Sequence, residues 1–185
     1  HPFRFGPIEG VPRFQVCLFF CLCLLCERRE DAECFCAAAD PSVLKQVLND
    51  YDQETKDFYR WRVVYGREEL ASLIARRSGV HIGDLIDIEP LEKGPSGRLW
   101  KLRIKGSEKT IVVGKELEIR RILSETHLKS SAFEVRYDGD KVVLDGAGWG
   151  HGVGLCQIGA AVMASRGYGY EDILEHYYPG TKLCR

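Results

Sequence analysis

Gly146–Gly159, GAGWGHGVGLCQIG, is the stretch that organises the chain. It places glycine at 146, 148, 150, 152, 154 and 159, six of fourteen residues, where the usual frequency is about 7%. Glycine at alternate positions strips side chains from one side of the backbone. It also permits positive φ and close approach by another group. Trp149 and His151 then project with little shielding. After Gly154 the pattern turns helical, with Leu155, Ile158, Val162 and Met163 at helical spacing. A glycine loop running into a helix leaves backbone N–H groups open at the helix start. Two readings stand: a tight strand-to-helix junction with a buried Trp and a satisfied His, or a ligand site. No Gly-Lys-Ser/Thr follows, so this is not a phosphate loop. No acidic residue about 20 positions on, at the end of a second strand, completes a dinucleotide fingerprint.

Upstream, Phe133–Tyr137 and Val142–Leu144 flank Asp138-Gly139-Asp140, which predicts a hairpin feeding the loop. Before it, Gly114-Lys115 opens a helix to Leu123, and Thr110–Val113 reads as a short strand. Asp84–Glu92 alternates Leu85, Asp87 and Glu89 against Ile86 and Ile88. After the turn Gly94–Gly97, Arg98–Lys105 returns with Leu99, Lys101 and Arg103 against Trp100, Leu102 and Ile104. Arg67–Arg77 is an amphipathic helix with Leu70, Leu73 and Ile74 inward, stopped by Ser78-Gly79. Asp57–Tyr65 reads as a strand with Tyr59, Trp61, Val63 and Tyr65 on one face. Asp40-Pro41 starts an earlier helix. Downstream, short helices are expected at about 156–166 and 170–177. Clustered strands, short turns and interspersed helices predict an α+β fold of antiparallel strands, an incomplete single domain. The expected division is an upstream segment over 1–39 and a domain over 40–185.

The totals narrow the function. The 185 residues carry a formal charge of −1, which argues against nucleic acid as partner. Six of the eight cysteines lie between Cys17 and Cys36, so no disulfide framework spread across a secreted fold is read here. The spacing of Cys17, Cys21, Cys23 and Cys26 is not a zinc spacing. No metal and no cofactor is expected. The apolar run Val16–Cys26 has eleven residues, short of the about 20 a spanning helix needs. No clean cleavage site follows it, so no signal peptide is read.

The wording of Gly148–Leu183, GWGHGVGLCQIGAAVMASRGYGYEDILEHYYPGTKL, resembles the C-terminal signature of the stage II sporulation protein D (SpoIID/LytB) family. Weaker likeness extends upstream through Pro41–Tyr65 and Arg67–Ile74, and HPFRFGPIEG at residues 1–10 resembles a segment just before them. Cys156 stands where the family usually has Ser, and Ile158 where Trp is frequent. Residues 14–36 do not follow the pattern. The resemblance implies a bacterial protein working on the cell wall outside the cytoplasmic membrane. Its implied partners are peptidoglycan glycan strands and, secondarily, other cell-wall hydrolases. Family members include lytic transglycosylases, in which a carboxylic acid of raised pKa protonates the glycosidic oxygen. The sugar's own C6 hydroxyl then attacks C1, so no second carboxylate is needed to activate water. The glutamate that serves as acid precedes a His/Ser/Cys cluster and a Gly-Gly pair, and neither segment is found in this sequence. Glu9, Glu27, Glu30 and Glu33 stand in no matching motif, so no catalytic residue is assigned. Trp149, His151 and Gln157 are the candidate substrate-binding residues: an indole for stacking, an imidazole, and an amide for an acetamido group. A non-catalytic glycan-binding or amidase-enhancing module is the alternative.

Overall fold

The computed structural model describes residues 35–36, 59–94 and 96–180. The run Val16–Cys26, the helix expected at Asp40, and the 39/40 boundary lie outside them. In chain order the elements are β1 (Arg60–Gly66), α1 (Arg67–Ser78), β2 (Leu85–Lys93), β3 (Leu99–Gly106), β4 (Thr110–Gly114), α2 (Glu116–Ile122), β5 (Phe133–Asp138), β6 (Lys141–Ala147), α3 (Gln157–Ser165) and α4 (Tyr170–Tyr177). They form two three-stranded antiparallel sheets, ordered β1-β6-β5 and β2-β3-β4. The class is α+β, as the sequence predicts.

One apolar core joins both sheets. Leu70, Leu73 and Ile74 of α1 and Ile119 and Ile122 of α2 pack with Leu99, Leu102 and Ile104 of β3 and with Val142 and Leu144 of β6. Each such side chain is worth roughly 1.5–3 kcal/mol when fully buried. Gly79 closes α1 by donating its N–H to Ala75 O at 2.9 Å. The Glu69 carboxylate accepts from Gly66 N–H at the other end, at 3.2 Å.

The simple alternation expected for β2 and β3 does not hold. Leu85 and Ile88 are both buried although three residues apart, while Ile86 is 55% exposed. The register skips at Ile86, which sits in a β-bulge. A bulge inserts one residue and turns the following side chains over. Arg67 holds this bulge by donating from Nη1 to the carbonyls of Leu85 and Ile86, at 3.2 and 3.0 Å. A second irregularity around Leu91 and Trp100 leaves Leu99 and Leu102 both buried and Trp100 outside.

The long-range pairing decides where the loop begins. Trp61 of β1 lies opposite Gly146 of β6. A Cβ at Gly146 would stand 2.1 Å from the Trp61 ring, so glycine there is what lets the buried indole lie flat on β6. α3 and α4 form a smaller cluster around Met163 and Tyr177, against which Phe35, Cys156 and Ile173 pack. Phe35 meets Tyr168 and His176 edge-on, at 5.8 and 5.3 Å between ring centres.

Candidate functional site

The glycine loop leaves β6 at Ala147 and is gripped at its start from three directions. Gly148 N–H donates to Tyr59 O at 2.7 Å, and Trp61 Nε1–H donates to Gly148 O at 3.2 Å. Gly150 N–H donates to Lys129 O at 2.8 Å. Arg98, 4% exposed, donates from Nε to Gly150 O at 2.9 Å and from Nη2 to Trp149 O at 3.4 Å. A buried cation needs acceptors, and here loop carbonyls supply them. The segment beneath is itself fixed: Ser130 Oγ–H donates to Ala147 O at 2.7 Å, and Arg120 Nε–H donates to Leu128 O at 2.6 Å.

Gly148, Gly150, Gly152 and Gly154 all have positive φ, so the loop is not the extended segment that alternate glycines suggest. Side chains do alternate: Trp149, His151, Val153, Leu155 and Gln157 are exposed, and the residues between them are half-buried. The side cleared at Gly152 is filled by protein. A Cβ there would stand 2.0 Å from Arg98 Nη1, whereas at Gly150 it would meet nothing within 4 Å. The glycine at 152 makes room for the guanidinium underneath.

Trp149 is 37% exposed, with the Lys129 ammonium 5.3 Å from its ring centre. His151 Nδ1 accepts from Val153 N–H at 2.8 Å. That bond places the proton of the neutral imidazole on Nε2, leaving an N–H donor for a ligand rather than a base. Gln157 is the first residue of α3 and has separate support. Cys156 caps that helix, its sulfur accepting from Gly159 N–H at 3.4 Å. Sulfur is a weaker acceptor than the hydroxyl of a serine cap. Tyr178 Oη accepts from Leu155 N–H at 3.0 Å, which ties α4 to the loop. Trp149 and His151 thus share one Arg98-held turn, and Gln157 belongs to the helix that follows. Among the described residues no group of three or more His, Cys, Asp or Glu side chains gathers as metal ligands. Cys17–Cys34 and Glu9, Glu27, Glu30 and Glu33 lie outside them.

Sequence reasoning misses Arg98, Lys129 and Ser130. Arg98 follows a Gly-Pro-Ser-Gly turn and reads as an ordinary solvated charge. Only the fold brings it beneath a loop about fifty residues away.

A family model described as a domain of unknown function (DUF8618) matches residues 23–154, well over half the chain. The chain belongs to this family. The DUF8618 match runs from the cysteine-rich stretch to the middle of the glycine loop. The chain is also similar to the amidase enhancer of Bacillus subtilis (strain 168), 42% identical over 66 residues, which are 36% of this chain and 9% of that protein. It is 40% identical over 73 residues to stage II sporulation protein D of the same organism, covering 40% of this chain and 21% of the relative. An uncharacterized protein of Brachyspira hyodysenteriae, BHWA1_00569, is 29% identical over 123 residues, 66% of this chain and 32% of the relative. The matched part thus spans a third or less of each relative's length. The two Bacillus subtilis likenesses fit the C-terminal part of a SpoIID-family protein, the resemblance carried by the signature of Gly148–Leu183.

Proposed function

We propose that this DUF8618 chain serves the bacterial cell wall in the manner of SpoIID/LytB proteins, with the glycine loop contacting peptidoglycan glycan strands. The relatives' names, stage II sporulation protein D and amidase enhancer, support a cell-wall and sporulation setting. The observation that carries the reading is the exposed Trp149–His151 pair on a turn that buried Arg98 holds by its carbonyls. In this reading Trp149 stacks on the apolar face of a sugar, His151 donates from Nε2, and Gln157 bonds an acetamido group. Residues 40–185 form the SpoIID/LytB-like domain, and 1–39 an upstream segment. The site of action is the outer side of the cytoplasmic membrane. Among the described residues no helix is long and apolar enough to cross a membrane.

Lytic transglycosylation is the activity proposed for the complete protein. No residue of this chain is assigned as the acid, and the chain on its own is expected to bind glycan without cleaving it. The 42% identity to a protein named amidase enhancer favours a second reading, in which the domain binds glycan and stimulates a separate amidase. Titration with purified glycan strands tests the shared part. Trp149→Ala and His151→Ala are expected to weaken binding about tenfold each with the fold retained. Wild-type binding by both variants would remove the loop from the substrate site. Mass spectrometry of strands incubated with the chain separates the two activities: anhydro-muramyl products require an acid within this sequence, and their absence with faster turnover by an added amidase supports the enhancer.

A further inference from the structure

A trough on the outer face of the β1-β6-β5 sheet begins where the glycine loop begins. It consists of two hollows of ≈ 840 and ≈ 470 Å³ that share Arg62 and Arg136 in their lining. Ala147, Gly146 and Asp145 of β6 line the larger hollow, and Val143 and Lys141 line the smaller. The trough therefore follows β6 from its last residue back toward the 138–140 hairpin. Its starting end meets the candidate site twice. Ala147 is two residues from Trp149, a backbone reach of about 7 Å. Gly97, also in the lining of the larger hollow, precedes Arg98, whose guanidinium donates to Trp149 O at 3.4 Å and to Gly150 O at 2.9 Å.

At its centre the lining is charge-matched. Asp145 accepts from Arg62 Nε–H at 2.5 Å and from Arg136 Nε–H at 2.8 Å, and Glu134 and Asp138 stand beside this triad. An anion would give up its water to meet charges that already have partners. The two arginine side chains are 62% and 59% exposed, so they keep N–H donors at the surface, and the Asp145 oxygens keep lone pairs. Next to the triad, Val64 of β1 lies opposite Val143 of β6, and Val64 is 46% exposed. Held donors, held acceptors and an apolar step thus follow one another along the trough. A neutral sugar chain matches that mixture, because each hydroxyl both donates and accepts and the ring C–H faces seek apolar contact.

We propose that a glycan strand held at Trp149 continues into this trough and runs along β6 over the Arg62–Asp145–Arg136 triad, a reading that rests on the glycan role given to the loop. The protein then recognises an oligosaccharide rather than a single sugar unit. Calorimetric titration of the full chain with N-acetylglucosamine oligomers two and six units long tests this. The hexamer is expected to bind about a hundredfold tighter than the dimer, more than the extra registers open to a longer chain supply. Val64→Lys, which plants a long charged side chain on the apolar step, should cut hexamer affinity about tenfold and leave the dimer unchanged. The double variant Arg62→Ala/Arg136→Ala, which removes the donors, should do the same. Trp149→Ala should weaken both oligomers. Thermal midpoints taken alongside separate lost binding from lost folding, and Val64→Lys decides the outcome if the double variant unfolds. Equal affinity of the wild type for dimer and hexamer, or a folded trough variant that keeps the full hexamer preference, would overturn the trough and leave the loop in the substrate site. Absence of binding by either oligomer, or wild-type binding of both by Trp149→Ala, would overturn the loop reading and the trough with it. Displacement of the hexamer by equimolar hexaglutamate would assign the trough to an acidic partner and overturn the saccharide as its occupant.

Discussion

At Gly152 two constraints coincide: φ is +70° and a Cβ would stand 2.0 Å from Arg98 Nη1. At Gly150 the φ is nearly the same, +72°, but the space is open. An alanine at either position carries backbone strain of about 1 kcal/mol. Only at 152 does it also push a buried guanidinium off its carbonyl acceptors. Gly152→Ala is therefore expected to cost about 2 kcal/mol or more, and Gly150→Ala about 1. His151→Ala, which loses only an exposed bond to Val153 N–H, should cost less than about 1 kcal/mol. Denaturant midpoints of the three variants decide the order. Equal costs at 150 and 152 would mean that Arg98 yields easily and does not fix the loop.

At the scale of elements, one side chain ties the two sheets together. Tyr137 of β5 accepts from Ile88 N–H at 2.7 Å and donates to Asp87 Oδ1 at 2.9 Å, both on β2, with the Arg67 guanidinium 4.5 Å from its ring centre. Burial first, then the bond to Asp87 and its charge, push the phenol from 10 up to about 12. A pKa raised in the folded state means stability that is complete below pH 10 and lost as pH climbs toward 12. Tyr137→Phe should cost about 1 kcal/mol near neutrality. The gap between the variant and wild type should close between pH 10 and 12, as urea midpoints across that range will show. A gap that stays constant would mean that Tyr137 acts by packing alone.

Over the whole molecule, stability is divided unevenly. The main cluster unites two sheets, α1 and α2, whereas α3 and α4 share a small cluster around Met163 and Tyr177. Regions with fewer buried apolar contacts open at lower free energy. Hydrogen exchange is expected to be slowest in the central strands β3 and β6 and markedly faster in α3 and α4. Burial holds His176 of α4 below its ordinary 6.5. A depressed folded value gives stability present above pH 6.5 and lost as pH falls through the folded value. Lowering the pH from 7 to 5 should therefore reduce protection factors, taken relative to the intrinsic exchange rate at each pH, in α4 before it does so in β3. A uniform loss of protection across the chain would count against two separable clusters.

The amino-acid order alone determines the antiparallel α+β class, the helices that follow Gly66 and Cys156, the 138–140 hairpin and the loop that would bear the site. Each rests on hydrophobic period or turn chemistry within a few residues, interactions made by the chain with its near neighbours. Kinship to SpoIID-type proteins is readable in the same way, from the unbroken wording of Gly148–Leu183. The tertiary structure decides the rest. Pairing of β1 with β6 joins residues 83 apart, Arg62 and Asp145 among them. The bulges at Ile86 and Trp100 turn apolar residues inward against the simple alternation. Arg98, Lys129 and Ser130 carry no local mark. An arginine that holds a loop and one that floats in water have the same neighbours in sequence, and they differ only in the carbonyls that folding brings within reach.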